Sequence, residues 1–114
     1  MWSIEYYESI AGRCPVEEFI NSLDAGSRAR IARTLDLLEE FGINLGMPYA
    51  RHLEKQLWEL RIRQGRNRYR IIYFLAVGKT FILLHAFTKK TGPVSRSDIE
   101  VAERRREEYI SRRR

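Results

Sequence analysis

The sequence predicts an α+β fold in the order β-α-α-β-β-β-α, with a small, mainly antiparallel sheet packed against an N-terminal helical hairpin. Three observations predict it. Apolar residues recur at helical spacing in much of the first half, and they alternate with polar residues in the second half. The chain has 114 residues, which suits one hydrophobic core rather than two. We therefore expect a single domain over residues 1–114.

The first half predicts one strand and two helices. Residues 2–7 alternate in polarity, which is the pattern of a half-buried strand. Pro15 fits the first turn of a short helix, and residues 24–27 then predict a turn. A second helix follows, with an apolar face that ends at Phe41 and with Gly42 as its C-terminal stop. Because the connection is short, we expect these helices to form an antiparallel hairpin.

The second half predicts a connecting loop and three strands. Residues 43–56 contain Gly46 and Pro48 and are interpreted as the loop. The alternation that follows predicts strands over residues 57–63, 68–76 and 80–88. Since only a few residues separate these strands, they must form an antiparallel meander.

A final helix is predicted over about residues 97–112, because Ser97 and Glu100 have the spacing of a capping box. Its apolar face is thin, so we expect it to pack lightly. Three consecutive arginines at 104–106 alternate with nearby glutamates, which favours a solvated helix face. Contact of these arginines with ribosomal RNA is the alternative interpretation.

The composition excludes several classes of protein. A hydrophobic content of 44% excludes a wholly disordered chain, and the longest apolar stretch, residues 71–77, is too short to cross a bilayer. The glutamates among the first 20 residues are unlike a secretory signal. Cys14 is the single cysteine, and no Cys/His cluster has zinc spacing. We expect a cytoplasmic protein that needs no metal and no cofactor.

Positive charge is concentrated in the meander. The chain carries a net charge of +6, but residues 51–90 hold ten Lys and Arg against two Asp and Glu, a net of +8. The preceding 50 residues have a net charge of −4. Such a concentration favours binding of a polyanion, most often nucleic acid. A basic face that only improves solubility is the alternative.

Strand alternation gathers this charge on one face of the sheet. If the helical hairpin covers the other face, the open face carries arginines from two adjacent strands and receives the loop that follows the third. The residues concerned are Arg61, Arg63, Arg68, Arg70, Lys89 and Lys90. These cations repel one another, and a bound anion would relieve the repulsion.

Three segments in this order and spacing follow the helical hairpin: Leu57-Trp58-Glu59-Leu60-Arg61, Tyr69-Arg70-Ile71-Ile72-Tyr73 and Leu83-Leu84-His85-Ala86-Phe87-Thr88-Lys89-Lys90-Thr91. Together with the closing helix, they resemble the RelE/HigB superfamily of bacterial type II toxins, in particular its phage-derived, HigB-like branch. The resemblance implies a RelE-like fold, a cytoplasmic location and a helix-turn-helix, HigA-like antitoxin as partner. It also implies cleavage of mRNA in the ribosomal A site.

The resemblance also implies which residues form the site. Arg61, Arg70 and the pair Lys89-Lys90 match the basic active-site pattern of the family. Many RelE-type relatives have a base-stacking tyrosine near the start of the last helix, but residues 93–96 here read Pro-Val-Ser-Arg. Glu59 stands where RelE-type proteins tend to have a lysine, so the role of that lysine does not transfer.

Metal-free RNA cleavage requires an activated 2′-OH, neutralised charge on the phosphorus centre and a protonated 5′ leaving oxygen. Arg61 and Arg70 suit the second task as phosphate clamps, because the guanidinium fork can hold two phosphate oxygens. Lys89 or Lys90 could act as a base if the arginines disfavour its protonated form. Simple binding of the RNA backbone is the alternative for both lysines.

His85, in the last strand, is also a candidate for proton transfer. It shares strand parity with Leu83 and Phe87, which predicts that its ring points to the hairpin-covered face, where a structural histidine is the alternative. Phe87 is a candidate for stacking on a base. Three further arginines are candidates for contacts with the RNA backbone, namely Arg63, Arg66 and Arg68.

The leading hypothesis is therefore a toxin of a type II toxin–antitoxin system that acts as a ribosome-dependent mRNA endoribonuclease and inhibits translation. A ParE-like inhibitor of DNA gyrase on the same scaffold is the first alternative. The convergent arginines and lysines favour the ribonuclease, since gyrase inhibition does not require them. A non-catalytic RNA-binding module is the second alternative.

Overall fold

Five strands and three helices form the α+β fold that the sequence predicts, in a computed structural model that describes residues 1–113. In chain order the elements are β1 (Ser3–Tyr6), α1 (Pro15–Asn21), α2 (Ala25–Phe41), a 3₁₀ turn (Gly42–Asn44), β2 (Ala50–Glu54), β3 (Leu57–Gln64), β4 (Asn67–Ala76), β5 (Thr80–Thr88) and α3 (Arg96–Arg112). None of the described helices is long and apolar enough to cross a bilayer.

The strands form one mixed sheet in the order β1-β5-β4-β3-β2. The antiparallel meander of β3, β4 and β5 is confirmed, and β1 adds to β5 in parallel. The prediction of a loop over residues 43–56 is wrong in part, because β2 pairs antiparallel with β3. This edge strand is short, has a bulge between His52 and Glu54, and turns at Lys55 without a Gly or Asn. It therefore lacks both alternation and a turn signature.

The helical hairpin covers one face of the sheet, as predicted. Val16 of α1 and the buried face of α2 pack on alternate residues of the strands. Residues 24–27 are not a free turn, because Asp24 is the N-cap of α2 and its carboxylate accepts a hydrogen bond from Ser27 N at 3.2 Å. The Ser27 hydroxyl also meets the Tyr69 hydroxyl at 2.8 Å inside this core. Ser27 thus joins the start of α2 to β4.

The other face of the sheet is covered in part by α3, which packs more closely than predicted. Ala102 is fully buried in a second core with strand residues such as Ile72, Phe74 and Leu84. Two arginines of the predicted solvated face also contribute, since Arg105 lies over the Tyr7 ring and Arg106 lies over the Phe74 ring. Arginine side chains thus widen the thin apolar stripe of this helix.

The N-cap of α3 is two residues earlier than predicted. Ser95, and not Ser97, is the N-cap, and its hydroxyl accepts a hydrogen bond from Asp98 N at 3.0 Å. The Ser95 hydroxyl in turn donates to the Asp98 carboxylate at 2.7 Å. Asp98 stands three residues after Ser95, where Glu100 was expected after Ser97, and its carboxylate also contacts β5, as described below.

Gly42 at the end of α2 has to be a glycine for two reasons. Its φ is 55°, and a Cβ atom at this position would lie 2.0 Å from the Trp2 ring.

We expect Gly42→Ala to lower the free energy of unfolding by about 2 kcal/mol or more, measured by urea denaturation. Gly46→Ala is the control, since that site has open space. Equal effects of the two substitutions would contradict the packing described for Trp2.

Candidate functional site

Four arginines of β3 and β4 lie side by side on the face of the sheet that α3 partly covers. The register pairs Arg61 with Arg70 and Arg63 with Arg68, on the same face as Ile72 of the α3-side core. All four line a cleft of about 240 Å³, which the loop at Pro48 borders. We call it the arginine cleft. The structure thus brings together the four arginines that strand alternation predicts to converge.

The arginine cleft stays open because α3 begins beside it. Asp98 in the first turn of α3 contacts His85 of β5, and the rest of the helix runs over the second core. Phe87, two residues beyond His85, stands opposite Arg70 in the register. The row of Arg61, Arg70 and Phe87 therefore lies one row beyond the contact of His85 with α3.

Glu59 is the buried anchor of the arginine cleft. Its side chain has no exposed surface, although it carries a carboxylate in the middle of the sheet. Glu59 Oε2 lies 3.2 Å from Arg51 Nε and 3.2 Å from Arg61 Nη1, and Oε1 lies 3.4 Å from Arg70 Nε. Because a buried carboxylate needs positive partners, this one group fixes guanidinium groups from three strands.

Arg70 is only 5% exposed, which is exceptional for an arginine. Burial lowers the pKa of its guanidinium, and the positive charge of Arg61 lowers this pKa further, while Glu59 opposes the shift. Arg70 Nε and Glu59 Oε1 face each other without hydrogen-bond geometry. One carboxylate therefore does not balance the positive charge of the guanidinium groups around it, and an anion bound in the arginine cleft would stabilise them.

The lysine pair continues this row of cations at the end of β5. Lys89 N donates to Arg68 O at 2.7 Å, and Arg68 Nη2 donates to Lys90 O at 3.0 Å. The ammonium group of Lys89 itself donates to the Gly92 carbonyl in the same loop. Arg66 lies in the exposed turn between β3 and β4 and does not line the arginine cleft.

The expectation that His85 points to the hairpin-covered face is wrong. A β-bulge in β5 pairs Ile72 with His85 and Tyr73 with Leu83, which leaves Leu84 without a register partner. Alternation therefore shifts by one residue, and the His85 ring turns towards α3. The Leu84 carbonyl accepts a hydrogen bond from Arg105 Nη1 at 2.8 Å.

Both ring nitrogens of His85 have partners on α3. Nε2 lies 2.8 Å from Asp98 Oδ1, and Nδ1 lies 3.5 Å from Arg105 Nη1. Because Arg105 can only donate, Nδ1 accepts and Nε2 carries the proton. Burial lowers the pKa of His85, although the Asp98 carboxylate raises it in part. The ring also stacks on Phe87, with centroids 5.2 Å apart, so His85 joins α3 to the edge of the arginine cleft.

Sequence reasoning missed several residues that shape this region. Glu59 shares strand parity with Arg61, and a lone acidic residue on a basic strand face was the available signal. Arg51 lies in the unpredicted strand β2. Arg30 and Arg33 of α2 line a neighbouring cleft, for which the sequence offers no local signal.

Comparison with known families gives a match over most of the chain. The model of the family described as "Phage derived protein Gp49-like (DUF891)" matches residues 18–107. The match extends from α1 into α3 and contains all four arginines of the arginine cleft, together with Glu59. A search of curated proteins gives no match.

The Glu59 cluster predicts a large effect on stability. Glu59→Gln leaves the buried Arg70 without its counter-charge, so we expect the free energy of unfolding to fall by about 3 kcal/mol. The double variant Glu59→Leu/Arg70→Met should recover most of this loss, because neither charge is then buried. Urea denaturation measures both.

The matched control is Glu54→Gln, whose ion pair with Arg96 is exposed and should contribute no more than about 1 kcal/mol. If Glu59→Gln proved as stable as this control, the buried carboxylate would not hold the cluster.

The histidine contact predicts a pH dependence of stability. The pKa of His85 is lower in the folded chain than its ordinary value of 6.5, so protonation favours the unfolded state. Its contribution to stability is present above pH 6.5 and is lost as pH falls through the lowered pKa. We expect the wild type to lose more unfolding free energy than His85→Gln between pH 7.5 and 5.5. Equal losses in urea titrations would contradict the burial of a neutral ring.

Proposed function

Because the chain belongs to the Gp49-like family of phage-derived proteins, which is part of the RelE/HigB-like toxin group, we propose that it is a toxin that cleaves mRNA on the ribosome. The family is associated with toxin–antitoxin systems. The observation that carries the proposal is the arginine cleft, where Arg61 and Arg70 stand opposite each other around the buried Glu59.

The proposed reaction uses the RNA itself as nucleophile. The 2′-oxygen attacks the adjacent phosphorus, the bond to the 5′-oxygen breaks, and a 2′,3′-cyclic phosphate remains on the upstream fragment. Arg61 and Arg70 hold the non-bridging oxygens and stabilise the charge that develops on them. Their placement supports this role, because Glu59 fixes both guanidinium groups before any substrate arrives. Such preorganisation costs no rearrangement during the reaction.

Proton transfer is assigned to Lys89 or Lys90. Both lie at the end of β5 next to Arg68, at the border of the arginine cleft. His85, the other candidate, has partners at both ring nitrogens and is assigned a positioning role for Phe87. Freeing its Nε2 would require loss of the contact with Asp98.

RNA binding is assigned to the outer residues of the same face. Arg63, Arg66 and Arg68 are the proposed contacts for backbone phosphates, and the ring of Phe87 is the proposed stacking partner of a base. Phe87 is half-buried and stands opposite Arg70, so a base on its ring would lie beside the phosphate clamps. The proposed substrate is the mRNA segment that lies in the ribosomal A site.

An antitoxin partner follows from membership of the toxin family. We assign this role to a helix-turn-helix protein of the HigA type, encoded beside the toxin and present in the same cytoplasm. Such a partner would neutralise the toxin until the antitoxin is degraded.

The test is brief induction in bacteria followed by mapping of mRNA 5′ ends. We expect codon-phased cuts with the wild type, and at least about a 100-fold loss of cutting with Arg61→Ala. Arg61 is partly exposed, so its removal spares the fold better than removal of Arg70. Arg13→Ala, an exposed arginine just before α1, is the control and should cut normally.

Two other results would contradict the proposal. Intact mRNA with blocked DNA supercoiling would identify a ParE-like gyrase inhibitor. Intact mRNA together with binding to ribosomes would identify a non-catalytic RNA-binding module. The engaged nitrogens of His85 and the engaged ammonium of Lys89 favour this second alternative over the first.

A further inference from the structure

A second cleft adjoins the arginine cleft along the free edge of β3. It has a volume of about 290 Å³ and is lined on one side by Arg30 and Arg33 of α2 and by Tyr49. Its other side is formed by Arg61 and Arg63, which also line the arginine cleft. We call it the α2 cleft. The two clefts are therefore neighbours that share a wall formed by side chains of β3.

The two clefts meet where the pairing of β2 with β3 ends. The register of β2 and β3 ends with Ala50 opposite Leu60, so Arg61 and Arg63 lie beyond the paired part of that edge. The loop at Pro48 takes over there, and Arg61 N donates a hydrogen bond to Tyr49 O at 2.8 Å. This bond fixes the backbone of Tyr49 beside the arginines.

Of the four arginines that line the α2 cleft, Arg61 pairs with Glu59 and the other three have no carboxylate partner within the described residues. Within residues 1–113, Arg30, Arg33 and Arg63 form no ion pair with a carboxylate, although most arginines elsewhere in that range do. The nearest side-chain partner of Arg30 is the neutral Gln64, at 3.5 Å. The first 50 residues carry a net charge of −4, yet two of their four basic residues line this cleft.

An aromatic ring stands among these cations. Tyr49 is 43% exposed and lines the α2 cleft. A groove that combines unpaired arginines with an exposed aromatic ring suits single-stranded nucleic acid, whose phosphates bind the cations and whose bases stack on the ring. A duplex would keep its bases paired and could not use the ring in this way.

We propose that the α2 cleft is a subsite for single-stranded RNA, which receives the segment of strand that leaves the arginine cleft. Arg30 and Arg33 bind its phosphates, and Tyr49 stacks on one of its bases. This inference rests on the proposed function in taking RNA as the ligand of the arginine cleft. It adds a path for the bound RNA strand. The strand would run from the α3-side face of the sheet, around the edge of β3, to α2.

The test measures binding of the purified full-length protein to a 12-nucleotide single-stranded RNA by fluorescence anisotropy at several salt concentrations. For Arg30→Ala/Arg33→Ala we expect about a tenfold weaker affinity at low salt. We also expect the slope of log affinity against log salt to fall in magnitude by about 1.4, because two fewer phosphates are neutralised. A tetranucleotide that fills only the arginine cleft should bind both proteins equally.

The charge-matched control is Arg13→Ala/Arg104→Ala, which removes two exposed arginines from other surfaces. It should leave the salt slope within about 0.3 of the wild type, since neither residue contacts the strand. Tyr49→Ala should weaken binding of the 12-nucleotide RNA by about fivefold or more, whereas Tyr49→Phe keeps the ring and should bind normally.

Failure of this subsite is separable from failure of the proposed function, because the binding assay requires neither ribosomes nor cleavage. Equal losses in the test and control variants, or no binding of the 12-nucleotide RNA by the wild type, would overturn the subsite. The subsite would also be overturned if Arg30→Ala/Arg33→Ala weakened binding of an RNA duplex of the same sequence as much as binding of the single strand. A subsite that binds as expected in a protein that leaves cellular mRNA intact would overturn only the ribonuclease.

Discussion

One buried carboxylate organises the functional face of this protein. Glu59 has no exposed surface, and a charge in that position is tolerated only with positive partners at short range. It obtains them from Arg51 on β2, Arg61 on β3 and Arg70 on β4. Three positive charges around one negative charge leave an excess, which gives a rigid sheet a preorganised affinity for anions. Both the proposed phosphate clamp and the subsite beside it depend on this arrangement.

The way in which the helices cover the sheet decides where this charge is accessible. The hairpin of α1 and α2 closes one face, and α3 packs on the other, where its first turn contacts His85. The bulge at Leu84 turns His85 towards Asp98 and Arg105, so a polar network marks the end of the covered region. The arginines begin one row beyond it.

The sequence predicts those parts of the site that depend on strand alternation alone. The shared face of Arg61 and Arg70 follows from two regular strands joined by a tight turn, and the structure has that register. The orientation of His85 could not be predicted, because the bulge reverses the alternation of side chains along β5 and no residue there is typical of a bulge. The burial of Glu59 depends on long-range packing. Arg33 reaches the site through the placement of a whole helix, which local patterns do not encode.

The central claim is that the arginine cleft acts on the scissile phosphate rather than only binding the ribosome. Single-turnover cleavage of an mRNA in purified, programmed ribosomes tests it directly, with wild type and Arg61→Ala each raised to saturation. The account predicts that Arg61→Ala saturates the ribosomes at a similar concentration but cleaves at least about 100-fold more slowly. An equal cleavage rate at saturation would contradict it, because Arg61 would then contribute to binding alone.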